Sequence, residues 1–210
     1  MKGTKRKGEK LVAAGWDWMG KGKWDYIKAA ACFHKAAKMG SADGAHGLGV
    51  LYETKLDGFV YDTALAAKFF KQAADKGHTE AQMHLATLYA DGNGVEKDRK
   101  KAGKYWSKAA RAGESHAQFM YAMFLFFDAD EEERKKNVKA AKRWLKAAQE
   151  NGELSTSIAM RDIEQWEKTG YFNEDKDAEA IMERLGKMLR GEFDDDYDDC
   201  DEDDDILEDE

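Results

Sequence analysis

Residues 81–113 read AQMHLATLYADGNGVEKDRKKAGKYWSKAARAG, and two helical periodicities in this stretch decide the fold. In its first half, Leu85, Ala86, Leu88 and Tyr89 set large, small, large and large side chains at i, i+1, i+3 and i+4. That is the apolar stripe of an α-helix, with a notch where a neighbour can come close. In its second half, Trp106 is followed at +3 and +4 by Ala109 and Ala110, again one helical face. Between them lies Asp91-Gly-Asn-Gly94, rich in turn residues, and then Asp98, a residue type that caps helix starts. Gly113 ends the unit, as glycine suits the left-handed backbone at a helix C-terminus.

The closing phrase recurs along the chain. HKAAKMG ends at Gly40, KQAADKG at Gly77, SKAARAG at Gly113 and LKAAQENG at Gly152, at intervals of 37, 36 and 39 residues. Asp25, Asp62 and Asp98 stand 15 residues before the first three glycines, and Phe33, Phe70 and Trp106 stand seven before them. Trp144 keeps the same distance to its own alanine pair. Each unit is therefore read as a helix A followed by a helix B. A single helix pair cannot bury its apolar face, whereas stacked pairs can. The expected fold is all-α, an α-solenoid of antiparallel helix pairs with about five units, near 1–40, 41–77, 78–113, 114–152 and 153–191. Helix pairs are predicted near 41–54 with 62–76, 79–90 with 98–112, and 114–127 with 138–150. Trp106 should be buried in them. Proline is absent, which permits helices throughout.

The unit 81–113 resembles a Sel-one-like repeat, a relative of the tetratricopeptide repeat. The match is to A-x3-L-(A/G)-x-L-Y, then G-x-G-V-x2-D, then K-A-x3-(Y/W)-x2-A-A-x2-G. The similarity covers about residues 24–151. The first unit departs from it, since Met19-Gly-Lys-Gly-Lys23 leaves little room for a normal helix A. The last departs further, as Leu154–Arg190 lacks both the Leu-Tyr and the Ala-Ala pairs. Both are read as caps, because a terminal unit must turn one face to water. The resemblance implies a superhelical scaffold that assembles protein complexes.

The search for chemistry returns no catalytic, cofactor or metal constellation. His34, His46, His78, His84 and His116 occupy unrelated places in the repeat, with no HExxH or comparable ligand spacing. SxxK and GxSxG are both missing, so serine acylation has no support. Gly92-Asn-Gly94 is explained by the inter-helix turn, and Asp128 with Asp130–Glu133 by a charged loop. No stretch approaches the roughly 20 apolar residues that span a bilayer. The basic N-terminal stretch is expected to lead into a helix rather than form a leader. Two cysteines in unlike surroundings suit a reducing cytoplasm.

Charge divides the chain at Gly191. Residues 192–210 hold 14 acidic residues and no Lys or Arg, whereas the preceding 191 hold 34 basic and 28 acidic. The stretch 192–210 is expected to be a disordered acidic tail. It serves solubility, docks back onto the basic body, or mimics a polyanion. The lysines are spread along every helix B, opposite the aromatic-alanine stripe, so no nucleic-acid groove is expected. The expected function is a non-enzymatic, cytoplasmic scaffold binding a protein partner on a concave helix-A surface, at Met83, His84, Phe119, Met120 and Met123. The last three belong to Ala117–Phe127, a segment apolar nearly all round, which either a partner or the C-terminal helices must cover. An immunity or inhibitor protein that neutralises a toxic effector is the alternative, and a β-lactamase-like hydrolase a remote one.

Overall fold

The computed structural model describes residues 2–20 and 25–170. Among them stand nine helices and no strand: α1 (Lys2–Gly20), α2 (Tyr26–Lys38), α3 (Ala42–Glu53), α4 (Thr63–Ala74), α5 (Thr79–Asp91), α6 (Arg99–Arg111), α7 (Ser115–Phe127), α8 (Glu131–Glu150) and α9 (Thr156–Thr169). From α1 to α8 each helix packs on the next, and α1 also meets α3 as α3 meets α5. The result is an all-α solenoid of helix pairs. The described residues up to Ile163 form one compact unit, and a second begins at Glu164. The acidic stretch and the second half of the expected C-terminal cap lie outside the described residues.

Local sequence sets the helix ends. The carboxylates of Asp25, Asp62 and Asp98 accept hydrogen bonds from the backbone N–H of Lys28, Leu65 and Lys101 at 3.0, 2.9 and 2.9 Å, so each helix B starts on an aspartate cap. Helix A is capped by the residue that follows the terminal glycine: Ser41 for α3, His78 for α5 and Glu114 for α7. Gly40, Gly77, Gly113 and Gly152 all have φ between 86 and 94°, the left-handed turn that lets one unit pass into the next.

Packing uses the small notch. A Cβ on Gly49 would lie 2.5 Å from the Phe70 ring, and one on Gly15 would lie 2.5 Å from the Phe33 ring. Helix A thus holds its glycine against the aromatic of its own helix B. Phe33, Phe70 and Trp106 are fully buried together with Ala36, Ala73, Ala109 and Ala110. Burying one such ring stabilises the fold by roughly 1.5–3 kcal/mol.

Three expectations need correction. The first unit has a full helix A, because α1 runs 19 residues and packs on α2. This helix starts well before the glycine-rich stretch and reaches Gly20 within it. The charged segment 128–133 is not all loop. The Asp130 side chain accepts from Glu133 N–H at 2.8 Å, which starts α8 at Glu131, two turns before the expected 138. Three glutamates in the first turn suit the positive end of the helix dipole. In the fourth unit Trp144 is only half-buried, its ring edge-on to Tyr121 at 5.7 Å, and its neighbour Leu145 occupies the core.

Candidate functional site

Successive A helices repeat their columns, so residues far apart in sequence meet on one face. His46, Met83 and Phe119 share one column. Gly47, His84 and Met120 share the next, and Val50, Thr87 and Met123 a third. Met83, His84, Met120 and Val50 are half-buried, and Thr87 is exposed. Trp16 of α1 adds an indole that is 37% exposed. Phe119 and Met123, expected on this surface, are 0% and 1% exposed. Both belong to the core and cannot meet a partner.

The residues after α8 turn back onto α7. Glu153 lies 3.3 Å from the His116 ring, which stacks on Phe119 at 6.4 Å. Asn151 donates to the Gln118 side chain at 3.0 Å, and Gln118 donates to the Ala110 carbonyl at 3.2 Å. An all-round apolar helix needs cover, and the chain supplies part of it here.

A second feature on the same face was not visible in the sequence. His46, which shares no repeat position with the other histidines, is 7% exposed inside α3. The His78 ring stacks on it with centroids 4.4 Å apart, and the His84 ring stands 5.7 Å away. His84 also lies flat on Phe70, centroids 4.5 Å apart. Carboxylates surround the imidazoles: Glu80 is 3.7 Å from His46 Nε2, Asp43 is 3.4 Å from His78 Nε2 and Glu53 is 2.7 Å from His84 Nδ1. His78 Nδ1 accepts the Ala81 N–H at 3.2 Å, so in its neutral form the hydrogen sits on Nε2. The Nε2 of His46 has no hydrogen-bond partner among the described residues. Spacings of 32 and 38 residues between these histidines match no local ligand motif, and only the stacking of one repeat on the next brings them together.

Burial, with the nearby His78 and His84, presses the His46 pKa down to about 3. The folded value lies below the ordinary 6.5, so under pH 6.5 the unfolded chain binds a proton that the folded chain refuses. Stability is then full above pH 6.5 and falls as pH drops, by at most about 1.4 kcal/mol per unit. Denaturant titrations in metal-free buffer between pH 7.5 and 4.5 should show this slope. In His46→Met, which carries the residue of the next repeat, the slope should flatten. Equal slopes in both proteins would assign the acid sensitivity elsewhere.

The fold and its face define a class, the solenoid built of short helix pairs. A model of the Sel1 repeat matches residues 13–41, 42–78, 79–114 and 115–153, and the chain belongs to the Sel1 repeat family. It is similar to the chitin synthase regulator SKT5 of Saccharomyces cerevisiae, 35% identical over 98 residues, which cover 46% of this chain and 14% of that protein. It also resembles the exopolysaccharide production negative regulator of Rhizobium leguminosarum bv. viciae, 44% identical over 48 residues, 23% of this chain and 18% of that one. The chain thus spans less than a fifth of the length of either curated relative. Among solved structures, a Sel1 repeat protein from Oxalobacter formigenes superposes with TM-score 0.65 at 21% identity, covering 88% of this chain and 72% of that one. The protective antigen c5321 of uropathogenic Escherichia coli superposes with TM-score 0.61 at 26% identity, over 80% of this chain and 34% of that one. Among the described residues no helix is long and apolar enough to cross a membrane.

Proposed function

We propose that the chain is a non-enzymatic scaffold that holds a protein partner on its helix-A face, at Trp16, Met83, His84, Thr87 and Met120. The observation that carries this is the continuity of solvent-reachable aromatic, methionine and imidazole groups along successive helix-A columns. Methionines adapt their shape to a partner, and aromatic rings supply contact area at small entropic cost. Helix B turns Lys100, Lys101, Lys104 and Lys108 outward, which marks that side as a solvated surface. Regulators among the relatives support a binding role over a chemical one.

The test is affinity capture on the intact chain from its native lysate. Proteins retained by the wild type should be retained by Lys104→Glu and lost, by tenfold or more, with Met83→Lys/Met120→Lys. Retention unchanged in the double variant, with its helical signal intact, would rule out this face.

A further inference from the structure

We propose that His46, His78 and Glu80 form a binding site for one divalent transition-metal ion of the zinc class. One donor atom from each residue lies within 4.8 Å of the other two. Zinc bonds of about 2.0–2.2 Å bring neighbouring ligand atoms to about 3.3 Å, so the donors must close by up to about 1.5 Å. Glu80 can supply much of that movement, since its side chain is 69% exposed in the first turn of α5 and already 3.7 Å from His46 Nε2. Asp43 stands 3.4 Å from His78 Nε2 on the adjoining repeat, where it serves as a fourth donor. Two imidazoles and two carboxylates suit zinc, and the two negative charges balance the ion. Magnesium and calcium prefer sets made of oxygen alone.

The second observation is the nitrogen of His46 itself. It is buried, aimed at Glu80, and without a hydrogen-bond partner among the described residues. A buried polar atom in that condition is unfavourable, and a metal ion satisfies it. The cost falls on His78. Ligation through Nε2 moves the ring hydrogen to Nδ1, which breaks the cap on Ala81 N–H. No proton leaves the ring in that exchange. The lost cap and the stacked start of the two rings place the affinity in the micromolar range and not at the tightness of a preformed structural site.

Isothermal titration of the untagged, full-length chain with zinc chloride tests this. One ion should bind at micromolar Kd, and magnesium should not displace it. His78→Asn keeps a capping residue and Glu80→Gln keeps the side-chain shape, so both variants should fold and each should weaken zinc binding at least tenfold. The C2-proton resonances of His46 and His78 should shift on zinc addition. The acidic stretch 192–210 is the competing binder. Stoichiometric uptake left unchanged by both variants, with unmoved histidine resonances, would assign the ion to that stretch and overturn the site, as would the lack of saturable uptake.

Discussion

Trp106→Ala is expected to lower the free energy of unfolding by about 3–5 kcal/mol, the range for a large ring removed from a packed core. The indole is 1% exposed and packs among Ala86, Ala90 and Ala102, with Phe124 at 6.5 Å. It therefore joins α5, α6 and α7, and its removal opens a cavity where three helices from two units meet. One feature lowers the cost of a different change. The indole Nε1 has no hydrogen-bond partner among the described residues, so it is a buried donor left unpaired. Trp106→Phe sheds that donor and keeps a ring, and should cost less than half as much. Urea unfolding of the three proteins measures both differences. A tryptophan-to-alanine loss below 1 kcal/mol would mean that helix B does not use this face for its core.

Gly94→Ala is the second large effect, expected at about 3 kcal/mol from two sources. Gly94 has φ +71°, a left-handed conformation that costs an L-residue roughly 1–2 kcal/mol. Its added Cβ would lie 2.3 Å from the Thr63 carbonyl carbon and 2.5 Å from the Ala64 nitrogen. Both atoms belong to the backbone of the first turn of α4, which cannot swing aside as a side chain can. Gly77→Ala separates the two sources. Gly77 has φ +86° but nothing within 4 Å of the added carbon, so it should cost only about 1 kcal/mol. Matching losses at the two glycines would show that the contact with α4 has no energetic weight.

Much of this protein was legible because its information is local and repeated. Aspartate before each helix B, glycine after it, and the aromatic with its alanine pair act within one or two helical turns, where the chain geometry is nearly fixed. The same rules failed where they were applied too narrowly. The Met19–Lys23 segment leaves little room only for a helix A that starts there, whereas α1 runs from Lys2 through Gly20. Met83, His84 and Met120 are half-buried and stay partly open, whereas Phe119 and Met123 of the same predicted set are closed into the core. Their columns hold buried His46, half-buried Met83 and Val50, and exposed Thr87 in the units before them, so column position does not mark the fourth unit as closed.

The sequence by itself determined the helical class, the length of the repeat, the ends of most helices and which aromatic the first three B helices bury. Periodicity and capping decide these, and both depend on neighbours within a few residues. The tertiary structure alone decided that Gly94 presses on α4, that α7 buries Phe119 and Met123, and that His46, His78 and His84 stand together beside Glu80, Asp43 and Glu53. Those contacts join side chains across the junction of two units. Their distances follow from how one helix pair rests on the next, and no spacing within a single repeat encodes that angle.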